Sequence, residues 1–311
     1  MTGANGFVGT HVCNAFENAG LPVRKAVRQR RLARDAAWET GSIGRTTDWS
    51  DVIRDVDTVV HLAARVHHIR DAAANSLEAF RSVNAAGTKA LAEAAERAGV
   101  RRFVFMSTVK VHGESTNGRP PYTEADEPAP ADAYAISKLE AERILRAFSG
   151  LAVTILRPPL VYGPGVGANF LRLLRLVDRG VPIPLPATPN RRSIIYVGNL
   201  ADAVLHCARH RDAAGRTLLV SDGAPVSTAE LVRELARSLH RRPHVVTLPR
   251  PALNLLVRLA GRRVEFERIA GDLEIDSSEI TRTTGWSAPV PASRALNRTC
   301  EWYVQQVRGV T

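Results

Sequence analysis

Tyr134-Ala135-Ile136-Ser137-Lys138 places a phenol and an ammonium four positions apart. On a helix such positions share a face, so both groups can reach into one site. A free phenol, with a pKa near 10, moves protons poorly at neutral pH. A neighbouring lysine charge favours the phenolate, and a shift of about 3 units needs roughly 4 kcal/mol of differential interaction. The lysine is distinctive, because only Lys25, Lys89, Lys110 and Lys138 stand among 42 basic residues. Arginine, with its bulkier fork, is no equivalent replacement here. A second group, Gly3, Gly6 and Gly9, lets the backbone turn tightly and approach a phosphate. The helix expected from about Phe7 then presents unpaired N–H groups to that anion.

The elements that must carry these groups follow from periodicity. Strands are predicted at 21–27, 56–61, 102–106 and 152–156, and helices at 78–98 and 131–148. Strands alternating with helices of this length imply a parallel sheet with right-handed crossovers. A phosphate-cradling glycine loop normally follows a strand, yet only Met1 and Thr2 precede Gly3. The reading is therefore of a first strand that is truncated, its missing part a short apolar segment ahead of Thr2. After Pro158 the texture changes, with proline and glycine clustered at 158–167 and 182–189. Short strands at 193–197 and 216–220 follow, then a helix opened by a capping box, Ser227 with Glu230. The fold class expected is α/β, a doubly wound parallel Rossmann sheet with a smaller C-terminal substrate-binding lobe. Residues 1–160 form the dinucleotide-binding domain with 190–222 returning to it. Residues 161–189 and 223–311 form the lobe.

Apolar residues make up 45% of the chain and charged residues 23%, which excludes disorder as the main state. No run reaches the roughly 18 apolar residues of a membrane span. The segment 251–263, apolar and ending in arginines, is expected to be a lid or core helix of the lobe. Cys13, Cys207 and Cys300 fit neither a zinc spacing nor a disulfide framework, so no metal and a cytoplasmic location are expected. The net charge of +11 comes from arginines spread through an alanine-rich chain. Aromatics are only 5% and are not interleaved with the basic residues, so nucleic acid is not the expected partner.

Taken in order, the motifs resemble those of extended short-chain dehydrogenase/reductases, in the nucleotide-sugar epimerase/dehydratase branch. They run from Thr2-Gly3-Ala4-Asn5-Gly6-Phe7-Val8-Gly9 through His61-Leu62-Ala63-Ala64 and Val83-Asn84-Ala85-Ala86-Gly87-Thr88. Ser107-Thr108, Tyr134 to Lys138, Leu156-Arg157-Pro158-Pro159, Val161-Tyr162-Gly163-Pro164-Gly165 and Arg192 complete the set. The resemblance implies that Tyr134 is the acid/base at a sugar hydroxyl or ketone, and that Thr108 hydrogen-bonds the same oxygen. It implies that Lys138 holds the nicotinamide ribose and tunes Tyr134. Gly3, Asn5, Gly6, Phe7, Val8, Gly9, Leu62, Ala63, Ala64, Asn84 and Pro159 would surround the cofactor. Asn169 and Arg192 would meet the diphosphate of a UDP-sugar, and a homodimer would form through the helices of Asn84 and Tyr134.

Departures from the family pattern narrow the reaction. Val109-Lys110 stands where 4,6-dehydratases carry an Asp-Glu pair, which argues against dehydration. The late arginine that grips diphosphate in many relatives has Arg268 as its nearest candidate, displaced by one. The strand ending at Val27 leads into Arg28, with no acid to bind a ribose 2′-hydroxyl. Arg24, Lys25, Arg28, Arg30 and Arg31 could neutralise a 2′-phosphate, so NADP is favoured over NAD. That preference points to reduction of the C4 ketone of a UDP-(N-acetyl)hexose by NADPH, a step of surface-polysaccharide synthesis. The run 103–114 resembles the subgroup acting on 4-keto-6-deoxy N-acetylhexosamines. The alternative is an NAD-dependent UDP-hexose 4-epimerase, followed by a non-catalytic NADP-binding regulator.

Overall fold

The computed structural model describes residues 1–29, 37–66, 76–249, 253 and 271–308. In chain order the first half comprises α1 (Phe7–Asn18), β1 (Lys25–Val27), β2 (Ala37–Glu39), α2 (Ser50–Ile53), β3 (Thr58–His61), α3 (Leu77–Phe80), α4 (Gly87–Arg97), β4 (Arg102–Met106), α5 (Ala133–Arg146) and β5 (Ala152–Arg157). The second half comprises β6 (Leu160–Tyr162), α6 (Ala168–Asp178), β7 (Ile183–Pro186), β8 (Ile194–Tyr196), α7 (Val197–Arg209), β9 (Thr217–Leu219), α8 (Thr228–Ser238), β10 (Val245–Leu248), α9 (Ser278–Thr284) and α10 (Ala292–Gln306). The helix expected over 78–98 is one helical stretch with a π-segment, Arg81–Ala86, between α3 and α4.

The sheet is parallel. β3, β4, β5 and β9 lie side by side in that order, and β1 pairs with β2. Thr2 joins the two parts by bridging Ala26 on one side and His61 on the other. Its amide donates to Val60 O at 3.0 Å, and the Ala26 amide donates to Met1 O at 2.8 Å. Where a first strand was expected, between β1 and β3, these contacts of Met1 and Thr2 stand. Beside them is a cavity of about 460 Å³, lined in part by Met1, Leu21, Val23 and Val60.

Side-chain alternation along the strands makes the sheet two-faced. Val60, Val104, Leu156 and Leu218 pack with Val12 and Phe16 of α1 and with Leu200, Val204 and Cys207 of α7. Val59, Phe103, Phe105, Val153 and Ile155 point the other way, onto Leu91 and Ala95 of α4 and Ala141 and Leu145 of α5. Helices on both faces make this a doubly wound α/β fold. A third core gathers Phe170 and Leu174 of α6, Leu231 and Leu235 of α8, and Leu296 and Tyr303 of α10. β8 pairs with β6 rather than with the main sheet. Its Ile194 and Tyr196 face this third core, whereas Ile195 faces the sheet. α8 opens with the reciprocal Ser227–Glu230 capping box. The segment 251–263, apart from Leu253, and Arg268 lie outside the described residues.

Candidate active site

The glycine loop is built as the spacing requires. Gly3 takes φ +66°, and a Cβ there would sit 2.8 Å from Ala63 N; one on Gly9 would sit 2.0 Å from Gly3 O. Only glycine permits this approach of α1 to the ends of β1 and β3. The N-terminal turn of α1, with Phe7 and Val8, has no side-chain cap, the arrangement that suits an anion at a helix start. Asn5 braces the loop by donating to Gln29 O at 3.3 Å. These features fit a dinucleotide pyrophosphate.

A hydrogen-bond chain with a fixed direction ties that loop to Asn84. The Ala63 amide donates to Thr2 Oγ1 (3.3 Å), and Thr2 Oγ1 lies 2.6 Å from His61 Nδ1. His61 Nε2 lies 3.0 Å from Thr88 Oγ1, which itself donates to Asn84 O at 2.6 Å. Thr88, spending its proton on Asn84 O, accepts from His61 Nε2, which therefore carries a proton; in the neutral ring Nδ1 accepts from Thr2 Oγ1. Burial, helped by the charge of Lys138, lowers the His61 pKa to about 3.

Asn84 is itself buried, and its amide is engaged three times. Oδ1 accepts from Arg65 N (2.8 Å), while Nδ2 donates to Arg65 O (3.1 Å) and Ser137 Oγ (3.0 Å). Ser137 passes the contact on by donating to Tyr134 O at 2.7 Å. Asn84 therefore holds the chain beyond Leu62, Ala63 and Ala64 against the helix that carries Tyr134.

Thr108 ends the run beyond β4 in extended backbone and caps a short 3₁₀ turn, accepting from Lys110 N at 3.3 Å. Asp132 caps α5, taking the Ala135 amide on Oδ1 at 2.7 Å and Lys110 Nζ on Oδ2 at 2.8 Å. Lys110 also reaches Glu114 Oε1 at 2.7 Å. Lys110 thus bolts the Thr108 turn to the start of the Tyr134 helix.

A cavity of about 500 Å³ is lined by Thr108, Lys110, Tyr134 and Pro159 together with Asn169, Phe170, Arg192 and Leu231. Five residues read from sequence as catalytic, cofactor or substrate contacts meet here. Asn169 is exposed in the first turn of α6. Arg192 is half-buried, and its guanidinium donates to Gly271 O at 2.8 Å. Lys138 is 2% exposed, with Nζ 3.9 Å from the centre of the Phe105 ring. Burial lowers its pKa to about 7.

One expectation is reversed. Burial, and then the Asp132 carboxylate, push the Tyr134 phenol up to about 12. The cost of burying a phenolate outweighs the pull of a lysine charge one turn away. The basic cluster near β1 is also smaller than expected. Arg24 donates to the Asp51 and Val52 carbonyls, both at 3.3 Å, and stacks on Trp38; Lys25 pairs with Glu17 at 2.7 Å. Arg28 is exposed just beyond Val27, and Arg30 and Arg31 lie outside the described residues.

Sequence reasoning missed a buried network beneath the helix. Arg157 Nε donates to Glu142 Oε1 at 2.9 Å, Ser107 Oγ donates to the same oxygen at 2.5 Å, and Arg157 Nη1 meets His112 Nε2 at 2.7 Å. Glu142 follows Lys138 by one helical turn, a spacing that could have revealed it.

A model of the NAD dependent epimerase/dehydratase family matches residues 1–220. The chain belongs to this family. This epimerase/dehydratase chain is 40% identical over 311 residues to "UDP-glucose 4-epimerase" of Vibrio cholerae, covering 98% of this chain and 95% of that one. It is 26% identical over 322 residues to "N-acetyl-alpha-D-glucosaminyl-diphospho-ditrans,octacis-undecaprenol 4-epimerase" of Escherichia coli O157:H7, covering 97% and 94%. The solved structure of "MoeE5 in complex with UDP-glucose and NAD" superposes with a TM-score of 0.77 at 27% identity, over 100% of this chain and 98% of that one. The family makes the parallel sheet and glycine loop an NAD-type binding fold. Among the described residues, no helix is long and apolar enough to cross a membrane.

Proposed function

We propose that the protein inverts the configuration at C4 of a UDP-linked hexose, acting as a 4-epimerase that passes through a transient C4 ketone. The observation that carries this is the single cavity that Thr108, Tyr134 and Pro159 line together with Asn169 and Arg192. The Vibrio cholerae relative's name and the UDP-glucose and NAD of the MoeE5 structure supply the chemical class. A nicotinamide bound beyond the glycine loop would exchange the hydride.

The chain's own residues do the rest. Tyr134 exchanges the proton of the C4 oxygen, and Thr108 hydrogen-bonds that oxygen. The phenol, pushed up to about 12, carries its proton at neutral pH and is ready for the ketone half-reaction. The alcohol half-reaction needs the phenolate, which the Lys138 ammonium one turn away favours. Arg192 and Asn169 hold the diphosphate, the guanidinium supplying charge and fork geometry. Asn84, with its amide fully engaged, acts on the cofactor side by fixing the backbone at Arg65.

Arg28 favours a second reading, reduction of a 4-keto UDP-sugar by NADPH. It stands exposed at the end of β1, where the adenosine ribose is read, and Gln29 beside it offers no acid. The buried free thiols of Cys13, Cys207 and Cys300 support a reducing, cytoplasmic setting. A homodimer through the helices of Asn84 and Tyr134 is part of the same proposal, and light scattering that gives only monomer would remove it.

Incubation with UDP-glucose, UDP-galactose and their N-acetyl counterparts, followed by chromatography, tests the first reading. Interconversion without added reductant supports it. Turnover only of a 4-keto UDP-sugar with NADPH supports the second. No turnover of either substrate set would sink both.

A further inference from the structure

We propose that Phe105 is a positioning residue, a ring platform that keeps Lys138 as an ammonium ion inside the protein and so sets the charge available to Tyr134. The proposal rests on Tyr134 and Lys138 being the reacting pair, but its test does not require turnover.

Lys138 is almost wholly buried, a setting that disfavours its charged form. The close partner of its ammonium among the described residues is the face of the Phe105 ring, whose centre is 3.9 Å from Nζ. That face carries the negative part of the ring quadrupole and attracts a desolvated cation. The ring is itself fixed. Phe105 sits in β4, is fully buried, and stacks with the neutral His61 imidazole at 5.7 Å.

The other charged groups around the lysine are committed elsewhere. Glu142, one turn on in α5, favours the ammonium but is bound to Arg157 and Ser107. Arg157, from β5, is neutralised by that carboxylate. Asp132 holds Lys110. Lys89 and Glu93 of α4 pair with each other at the surface, 3.6 Å apart. His61, from β3, stays uncharged because burial and the neighbouring lysine charge disfavour its imidazolium form. The ring and Glu142 are thus what offsets the cost of burying the cation.

The chain has four lysines, so protein labelled with 13C at lysine Cε gives four signals, and Lys138→Met identifies the one lost. Phe105→fluorophenylalanine, Phe105→difluorophenylalanine and Phe105→trifluorophenylalanine weaken the ring quadrupole stepwise while nearly keeping its shape. In the cofactor-free protein the Lys138 signal is expected to titrate at progressively lower pH. The total shift should be about one pH unit, the size of a desolvated cation–π contact. Lys25, Lys89 and Lys110 should not move. A Lys138 titration that stays constant along the series, with or without a fall in thermal stability, overturns the proposal and leaves Phe105 as packing. Failure of the sugar assays together with the expected shift would count against the reaction and not against the platform.

Discussion

The amide of Asn84 donates to Ser137 Oγ at 3.0 Å, joining two helical segments 53 residues apart in sequence. Through Arg65 on one side and Tyr134 O on the other, this contact ties the backbone beyond β3 to the start of α5. Asn84→Ala removes three hydrogen bonds and strands the Arg65 peptide groups. The expected cost is about 1–3 kcal/mol, checked by urea unfolding, with a weaker cofactor dissociation constant measured alongside. Unchanged cofactor affinity would confine Asn84 to stability.

Tyr134→Phe keeps the ring against Phe80 at 6.1 Å and removes only the proton-carrying oxygen. Turnover should fall by about 10²–10⁴-fold, the usual contribution of a positioned acid/base, with cofactor binding unaltered. Steady-state kinetics and a fluorescence titration check the two halves. Retained turnover takes Tyr134 out of the reaction.

Arg28→Ala tests the cofactor. If Arg28 meets a 2′-phosphate, NADP should bind about 10- to 100-fold more weakly in the variant and NAD equally well, since one charge-assisted contact is lost. Titrations with both dinucleotides decide it. NAD binding as tightly as NADP in the parent, with neither changed in the variant, returns the cofactor to NAD.

Stability should depend on pH in a way that reports Lys138. Its folded pKa, about 7, lies below the ordinary 10.5, so between these values the unfolded chain binds more protons. Stability therefore rises with pH across that window, by at most about 1.4 kcal/mol per unit. Tyr134, moved upward from 10 to about 12, acts oppositely above pH 10. Denaturation at pH 7, 8 and 9 should show the rise in the parent and a flatter line in Lys138→Met. Equal slopes would mean that the lysine titrates normally.

Glu142→Gln leaves the Arg157 guanidinium buried without its carboxylate. A loss of about 3–5 kcal/mol is expected, most of it recovered in a Glu142→Leu, Arg157→Met double variant. Chemical denaturation of the three proteins distinguishes a broken pair from a needed one.

The sequence by itself determined whatever is written in short spacings. Gly3, Gly6 and Gly9 mark a turn only glycine can make. Tyr134 and Lys138 share a helix face, and alternation along 102–106 and 152–156 marks buried parallel strands. Backbone sterics and helical periodicity act over a few residues, so they can be read locally. Tertiary structure alone decided what depends on burial and on distant neighbours. The ionisation of Tyr134 followed from desolvation and Asp132, that of Lys138 from desolvation and Glu142, and the ring beside Lys138 comes from Phe105, 33 residues earlier in the chain. Arg24 and Lys25 looked like phosphate ligands until the fold set carbonyls and Glu17 beside them. Local sequence cannot state which charges lie within a few ångströms, and in a poorly polarisable interior those few ångströms control the chemistry.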